Sequence, residues 1–285
     1  EMKLRFKHQK FQADAAKAVV DVFAGQPYLT PSYMIDRGYE GKTMKGEEFS
    51  QISATEEQDF TGWSNHKIVP ELSDRLILEH LQKIQRENQI EPSPKLEGRY
   101  NLTVEMETGV GKTYTYIKTM YELNRAYGWS KFIVVVPSIA IREGVYKTFQ
   151  VTEEHFAEEY GKKIRFFIYN SAQLTEIDRF ASDSSINVMI INSQAFNARG
   201  NDARRIYMKL DEFRSRRPID IIAKTNPILI IDEPQSVEGK KTKENLKQFN
   251  PLLTLRYSAT HKSDSIYNMV YRLDAMDAYN KRLVK

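Results

Sequence analysis

Two short runs carry residue types that could do chemistry together. Met106 to Thr113 read METGVGKT, and Asp232 to Gln235 read DEPQ. A loop that cradles phosphate needs glycines, so that backbone N–H groups can curl around the oxygens. It also needs a lysine to reach the β- and γ-phosphates and a Ser or Thr hydroxyl for Mg²⁺. Gly109, Gly111, Lys112 and Thr113 supply these groups, with Thr108 and Val110 completing the loop. The second run ends an apolar stretch, Ile228 to Ile231, and so puts Asp232 and Glu233 at the edge of a sheet where ligands of open α/β folds bind. Asp232 would share the Mg²⁺ with Thr113, while Glu233 would orient and deprotonate an attacking water.

The elements around these runs are of the kind required. An extended run through Leu102, Val104 and Met106 precedes the loop, and a helical pattern through Ile117, Met120 and Tyr121 follows it, so phosphate would meet a helix N-terminus. Apolar, β-branched runs at Phe132–Val136, Ile164–Ile168, Val188–Ile191, Ile228–Ile231 and Leu252–Leu255 alternate with segments long enough for helices. They read as apolar throughout, which fits strands buried on both faces of a mostly parallel α/β sheet. Helical spacing also runs from His8 to Phe23 and from about Glu71 to Gln89. Between these two helices, residues 28–70 mix Gly, Pro, Ser, Thr and charge without a sustained period and read as an irregular insertion with room for a hairpin.

Composition narrows the classes. A chain of 285 residues with 41% hydrophobic content is long enough to bury a substantial core, read as one large α/β lobe over residues 1–285. The absence of cysteine excludes disulfides and any thiolate metal site or nucleophile. No apolar run is long enough to span a bilayer or serve as a secretory core, so no membrane partner and a cytoplasmic location are expected. A net charge of +4 permits nucleic-acid binding without requiring it. A basic stretch at about 199–224 sets eight Lys and Arg against four acids, as a solvated face or a duplex-contacting insertion would. Met2 after Glu1 reads as the native start, and the stop at Leu283-Val284-Lys285 reads as a piece of a longer protein.

In order and spacing, these motifs resemble those of superfamily 2 helicase-like motors. METGVGKT has Met106 where the generic phosphate loop has Gly, and this resembles the helicase form that keeps Thr-Gly-x-Gly-Lys-Thr. DEPQ, the later Ser258-Ala259-Thr260-His261 and the early Phe11-Gln12 complete the set. The Pro within DEPQ, the His after SAT and the closing Arg272-Leu273-Asp274-Ala275-Met276-Asp277 are most similar to the Res subunit of type III restriction enzymes. The resemblance implies a RecA-like P-loop NTPase lobe that takes ATP and Mg²⁺. In it Gln12 reads the adenine edge, with Gln9 as a rival, and Ser258, Ala259, Thr260 and His261 couple the nucleotide to a nucleic-acid track. It implies backbone contacts to double-stranded DNA from Pro137, Ser138 and Arg142 and from Ser193 and Gln194. It further implies a DNA methyltransferase partner, with a second motor lobe and a nuclease domain elsewhere, so that this chain alone would hydrolyse ATP slowly. A type I restriction motor, another superfamily 2 helicase, or a nucleic-acid-binding module with a nucleotide-gated site would share the same motifs.

Overall fold

The computed structural model describes residues 10–36, 60–106, 111–197, 200, 204–237, 239–259 and 267–273, with backbone alone at 32–36 and 60–61. Its centre is a seven-stranded sheet made of β3 (Asn101–Met106), β4 (Lys131–Val136), β5 (Arg165–Ile168), β6 (Asn187–Asn192), β7 (Ile228–Asp232), β8 (Leu253–Ser258) and β9 (Asn268–Leu273). The spatial order is β5-β6-β4-β7-β8-β3-β9, and every neighbouring pair is parallel. The separate pair β1 (Ser32–Asp36) and β2 (Phe60–Ser64) runs antiparallel.

The handedness of crossovers dictates the layers. Parallel connections are right-handed, so the direction in which the chain steps across the sheet fixes the face on which each helix lies. From β3 to β4 to β5 the chain steps one way, placing α3 (Lys112–Tyr127) and α4 (Ile139–Tyr160) on one face. From β5 onward it steps back through β6, β7 and β8, and α5 (Thr175–Ser182) with the helices Pro218–Lys224 and Lys240–Lys247 covers the other. The core divides accordingly. Phe132, Val134 and Val136 of β4 pack in the cluster containing Ile117, Met120 and Phe156, whereas Ile133 and Val135 join the one containing Ile177, Phe180, Ile222 and Phe249. Two further helices, α1 (Lys10–Val22) and α2 (Asp74–Glu87), extend the first face. This strand order, with one strand between the phosphate-loop strand and the acidic strand, is that of a RecA-like P-loop lobe.

One buried amide ties residues after β2 into this frame. Asn65 donates to the carbonyls of Lys131 (3.0 Å) and Asn226 (3.1 Å) and accepts from the N–H groups of Ser130 (2.8 Å) and Lys131 (3.0 Å). Its full complement of two donors and two acceptors is used, which clamps the start of β4 to the turn before β7. Trp129 adds an indole N–H bond to His66 O at 2.9 Å. The sequence pattern gave no sign of this clamp, because a lone Asn in an aperiodic stretch has no distinguishing neighbour.

Lys131 opens β4 with no exposed side-chain surface, donating to Phe180 O at 2.6 Å and to Asp183 O. Burial outweighs the nearby Asp183 charge and lowers this ammonium from its ordinary 10.5 to about 7. The basic stretch is also largely engaged. Arg216 is buried in a two-pronged bond to Asp178 (2.9 and 3.0 Å) with its guanidinium 4.1 Å from the Phe213 ring centre, Arg205 pairs with Glu212, and Arg217 binds Tyr207 O at 2.8 Å. Arg205 and Arg217 brace their own segment, and Arg216 ties it to α5.

Two outcomes follow. Asn65→Ala strands four buried backbone groups and should cost about 2–4 kcal/mol in urea unfolding; a loss below about 0.5 kcal/mol would remove the clamp from the account. Between its folded value near 7 and its unfolded value near 10.5, Lys131 binds fewer protons in the native state, so stability should rise with pH through that window. Relative to Lys131→Met, the wild type should gain about 2–3 kcal/mol between pH 7 and 9. Parallel pH profiles for the two proteins would count against it.

Candidate nucleotide site

Gly111 ends the phosphate loop in a left-handed conformation, φ +82°, and caps α3. Its carbonyl accepts from both the N–H and the hydroxyl of Thr115, each at 2.9 Å, which starts the helix tightly. A Cβ at this position would lie 2.7 Å from Gln12 Nε2. The amide of Gln12, a buried residue of α1, is thereby placed against the loop. Gln9, Thr108, Gly109 and Val110 lie outside the described residues, as do Thr260 and His261.

From the first residue of α3, Lys112 reaches across to the end of β7. Its Nζ lies 2.7 Å from Asp232 Oδ1 and also bonds Glu233 Oε1. The pair to Asp232 is ionic, and Oδ1 is buried with no further hydrogen-bond partner among the described residues. The other oxygen, Oδ2, accepts from the phenol of Tyr116 at 3.0 Å. Burial raises the Asp232 carboxyl above its ordinary value, and the Lys112 charge opposes the rise. Burial pushes Glu233 the same way, but bonds from Lys112, Gln235 and Ser258 outweigh it and hold this carboxyl below the usual range. Burial, then the charge of Asp232, push the Tyr116 phenol well above its ordinary value, so it stays a proton donor.

Glu233 has φ +51°, a left-handed backbone that costs a non-glycine residue about 1 kcal/mol or more. It is held there by its N–H bond to Tyr257 O at 3.0 Å and by its side-chain bonds. Ser258 Oγ lies 2.9 Å from Glu233 Oε2 and 2.8 Å from Gln235 Oε1, and its single proton serves one of them at a time. Gln235 in turn donates to Glu233. Ser258 and Gln235 therefore meet at Glu233, and Ala259 follows at the end of β8.

The residues proposed for nucleic acid gather along the same edge of the sheet. Ser138 caps α4, accepting from Ile141 N–H at 3.2 Å, and Ser193 N–H bonds Val136 O at 3.0 Å. Gln194 spans the strands, donating to Pro137 O and accepting from Asn192 Nδ2, each at 3.0 Å. Arg142 pairs with Glu143 at 2.9 Å and reaches Asn192 Oδ1 at 3.4 Å. A groove of about 850 Å³ opens beside them, not at the phosphate loop, and Asn170, Ser171 and Gln173 help to line it. Sequence reasoning passed over Tyr116, Asn192 and this groove, because none falls within a motif.

The sequence profile of the family described as Type III restriction enzyme, res subunit, matches residues 46–263. The chain belongs to that family. This Res-family chain is 37% identical over 203 residues to the type III restriction-modification enzyme EcoP15I Res subunit of Escherichia coli, covering 65% of this chain and 21% of that protein. It is 34% identical over 257 residues to the EcoPI Res subunit of Escherichia phage P1, covering 82% and 26%. It thus spans about a fifth to a quarter of the length of these relatives. Among solved structures, the UvsW helicase from bacteriophage T4 matches at TM-score 0.35 and 11% identity over 65% of this chain and 52% of that one. Among the described residues of the Res-family chain, no helix is long and apolar enough to cross a membrane, and no group of three or more His, Asp or Glu could hold a metal.

Gly111→Ala meets two separable obstacles, the left-handed φ and the Gln12 amide. It should cost about 1–3 kcal/mol in unfolding experiments, and Gln12→Ala added to it should recover part of that loss. Strict additivity of the two single changes would show that the amide and the glycine do not meet.

Proposed function

We propose that this chain is the ATP-binding lobe of a DNA-dependent ATPase that drives cleavage in a type III restriction system. What supports the reading, in a chain of the Res family, is Lys112 joining Asp232 and Glu233 at the head of a helix that follows a phosphate loop. A lysine with only a structural task would gain little there, since a buried ion pair seldom outperforms apolar packing. Here it keeps two carboxylates compatible until a more anionic partner arrives.

Phosphate oxygens compete with both carboxylates for Lys112. Loop N–H groups and Lys112 would take the β- and γ-phosphates, and the Gln12 amide would accept from N6 and donate to N7 of adenine. The donor set fits Mg²⁺. Thr113 and Asp232 offer hard oxygens, and Asp232 Oδ1 is buried without a hydrogen bond among the described residues. Thr113 and Asp232 would hold Mg²⁺, which when bound would supply neutralisation of the charge developing on the phosphates. Glu233, steadied by Ser258 and Gln235, would align water and take its proton as the water oxygen bonds to the γ-phosphorus and the bridge to the β-phosphate breaks.

The remaining partners lie along the same edge. Ser138, Arg142, Ser193 and Gln194 would hold phosphates of duplex DNA through hydroxyls, a side-chain amide and one guanidinium, with Pro137, which has no N–H to donate, shaping the turn that presents them; such contacts position the strand without reading its sequence. Ser258, Ala259, Thr260 and His261 would transmit the state of the γ-phosphate to that track. The parent would act in the cytoplasm with a DNA methyltransferase subunit that supplies site recognition, and its second motor lobe and nuclease would lie beyond this chain. The arginine that stabilises transition-state charge belongs to the second lobe in such motors and is worth about 10³–10⁵ in rate in comparable NTPases. The chain by itself should therefore bind nucleotide and turn it over slowly.

Thermal unfolding with and without Mg·ATP tests this. The wild type should gain about 2.7 kcal/mol at a hundredfold excess over Kd. Glu233→Gln should keep that gain while losing at least about 100-fold in hydrolysis in the full-length parent, and Lys112→Ala should lose the gain itself. Because Lys112→Ala also uncovers two carboxylates, the nucleotide-induced increment is the readout and not the absolute midpoint. A saturable gain that survives Lys112→Ala would sink the assignment.

A further inference from the structure

Tyr116 sits one turn into α3 with no exposed surface. Its ring packs against Tyr257 at 5.4 Å between centroids, a contact that phenylalanine would make equally well. The hydroxyl therefore needs its own explanation, since burying one is unfavourable unless it is bonded. It donates to Asp232 Oδ2 at 3.0 Å. Asp232 is the acidic residue argued above to hold Mg²⁺. The phenol, carried by α3 three residues after Thr113, thus ties the helix that follows the loop to the metal-holding carboxylate of β7.

We propose that Tyr116 is a positioning residue for the metal: by occupying Asp232 Oδ2 it fixes the carboxylate with Oδ1 turned toward Lys112 and the head of α3 before the cation arrives. The inference rests on the nucleotide-site reading. Without the phenol, once Lys112 turns to phosphate the carboxylate is free to turn about its terminal bond, and the cation has to order it as it binds. Partners of this kind orient the atoms that touch a metal, and removing one typically costs 10–100-fold in metal affinity. Packing alone would make the hydroxyl dispensable.

The experiment titrates MgCl₂ into the chain saturated with a non-hydrolysable ATP analogue and follows the rise in unfolding temperature, with a parallel series in EDTA for nucleotide alone. Tyr116→Phe should move the Mg²⁺ midpoint to about tenfold higher concentration or more, leaving the rise in EDTA unchanged. Tyr257→Phe is the matched control. It removes an equally buried hydroxyl, bonded to Thr119 at 3.3 Å, and should move neither quantity. An unshifted Mg²⁺ midpoint in Tyr116→Phe, or equal shifts in both variants, would overturn the positioning role. If Tyr116→Phe is too unstable to scan, trimethylamine N-oxide shifts it toward the folded state and the comparison is made there; failure to fold even then would show that the hydroxyl is structural. A wild type with no nucleotide-dependent rise at all would overturn the nucleotide-site reading, and this proposal with it.

Discussion

Everything at the site depends on one ammonium held between two carboxylates. Lys112 is 14% exposed, Asp232 2% and Glu233 17%, so the cluster has little water to screen it. Two adjacent acids at the end of a buried strand would otherwise repel each other and oppose the fold. The lysine makes their proximity tolerable, and its position at the first turn of α3 pins the phosphate loop to β7 across the intervening β8. The helix start, the strand end and the loop conformation are thus a single electrostatic arrangement. Glu233 keeps its left-handed backbone because bonds from Lys112, Gln235, Ser258 and the β8 backbone together outweigh a cost of about 1–3 kcal/mol.

The topology explains why those groups can meet. The chain steps across the sheet in one direction from β3 to β5 and in the other from β5 to β8, so the helix after β3 and the helix after β7 leave to opposite faces. The C-terminal ends of β3 and β7 are left open between them, as at the ligand crevice of doubly wound folds. β8 fills the space between these strands and brings Ser258 to the same edge, level with the acids.

How much of this was legible in the sequence depended on whether the signal was local. Central strands such as Phe132–Val136 and Ile228–Ile231 were plain, because burial on both faces demands unbroken apolar runs. Lys131 shows the limit. A lysine opening a central strand reads as a solvated strand end, and only the fold reveals the carbonyls of Phe180 and Asp183 that receive it. Asn65 and Tyr116 were hidden for the same reason, since their partners lie 65 or more residues away and no period connects them. The basic stretch, read as a solvated face or a duplex-contacting insertion, is taken up in part: Arg205, Arg216 and Arg217 bond acids and carbonyls that its charge count does not announce.

The two helices that start at the functional edge are joined along their length. α3 begins at the phosphate loop and α4 begins at Ser138, and between them Lys118 pairs with Glu159 at 2.7 Å and bonds the Tyr160 hydroxyl at 3.0 Å, while Tyr160 bonds Glu122 at 2.8 Å. Tyr121 and Tyr160 stack at 4.7 Å, and the Tyr114 hydroxyl meets His155 Nε2. Removing one partner of such a buried polar network costs more than leaving it whole, so sliding α3 along α4 would strand several groups at once. The two helices are therefore tied as one unit, and the first turn of α3 is held from two directions, by this network along its length and by Asp232 and Glu233 at its head.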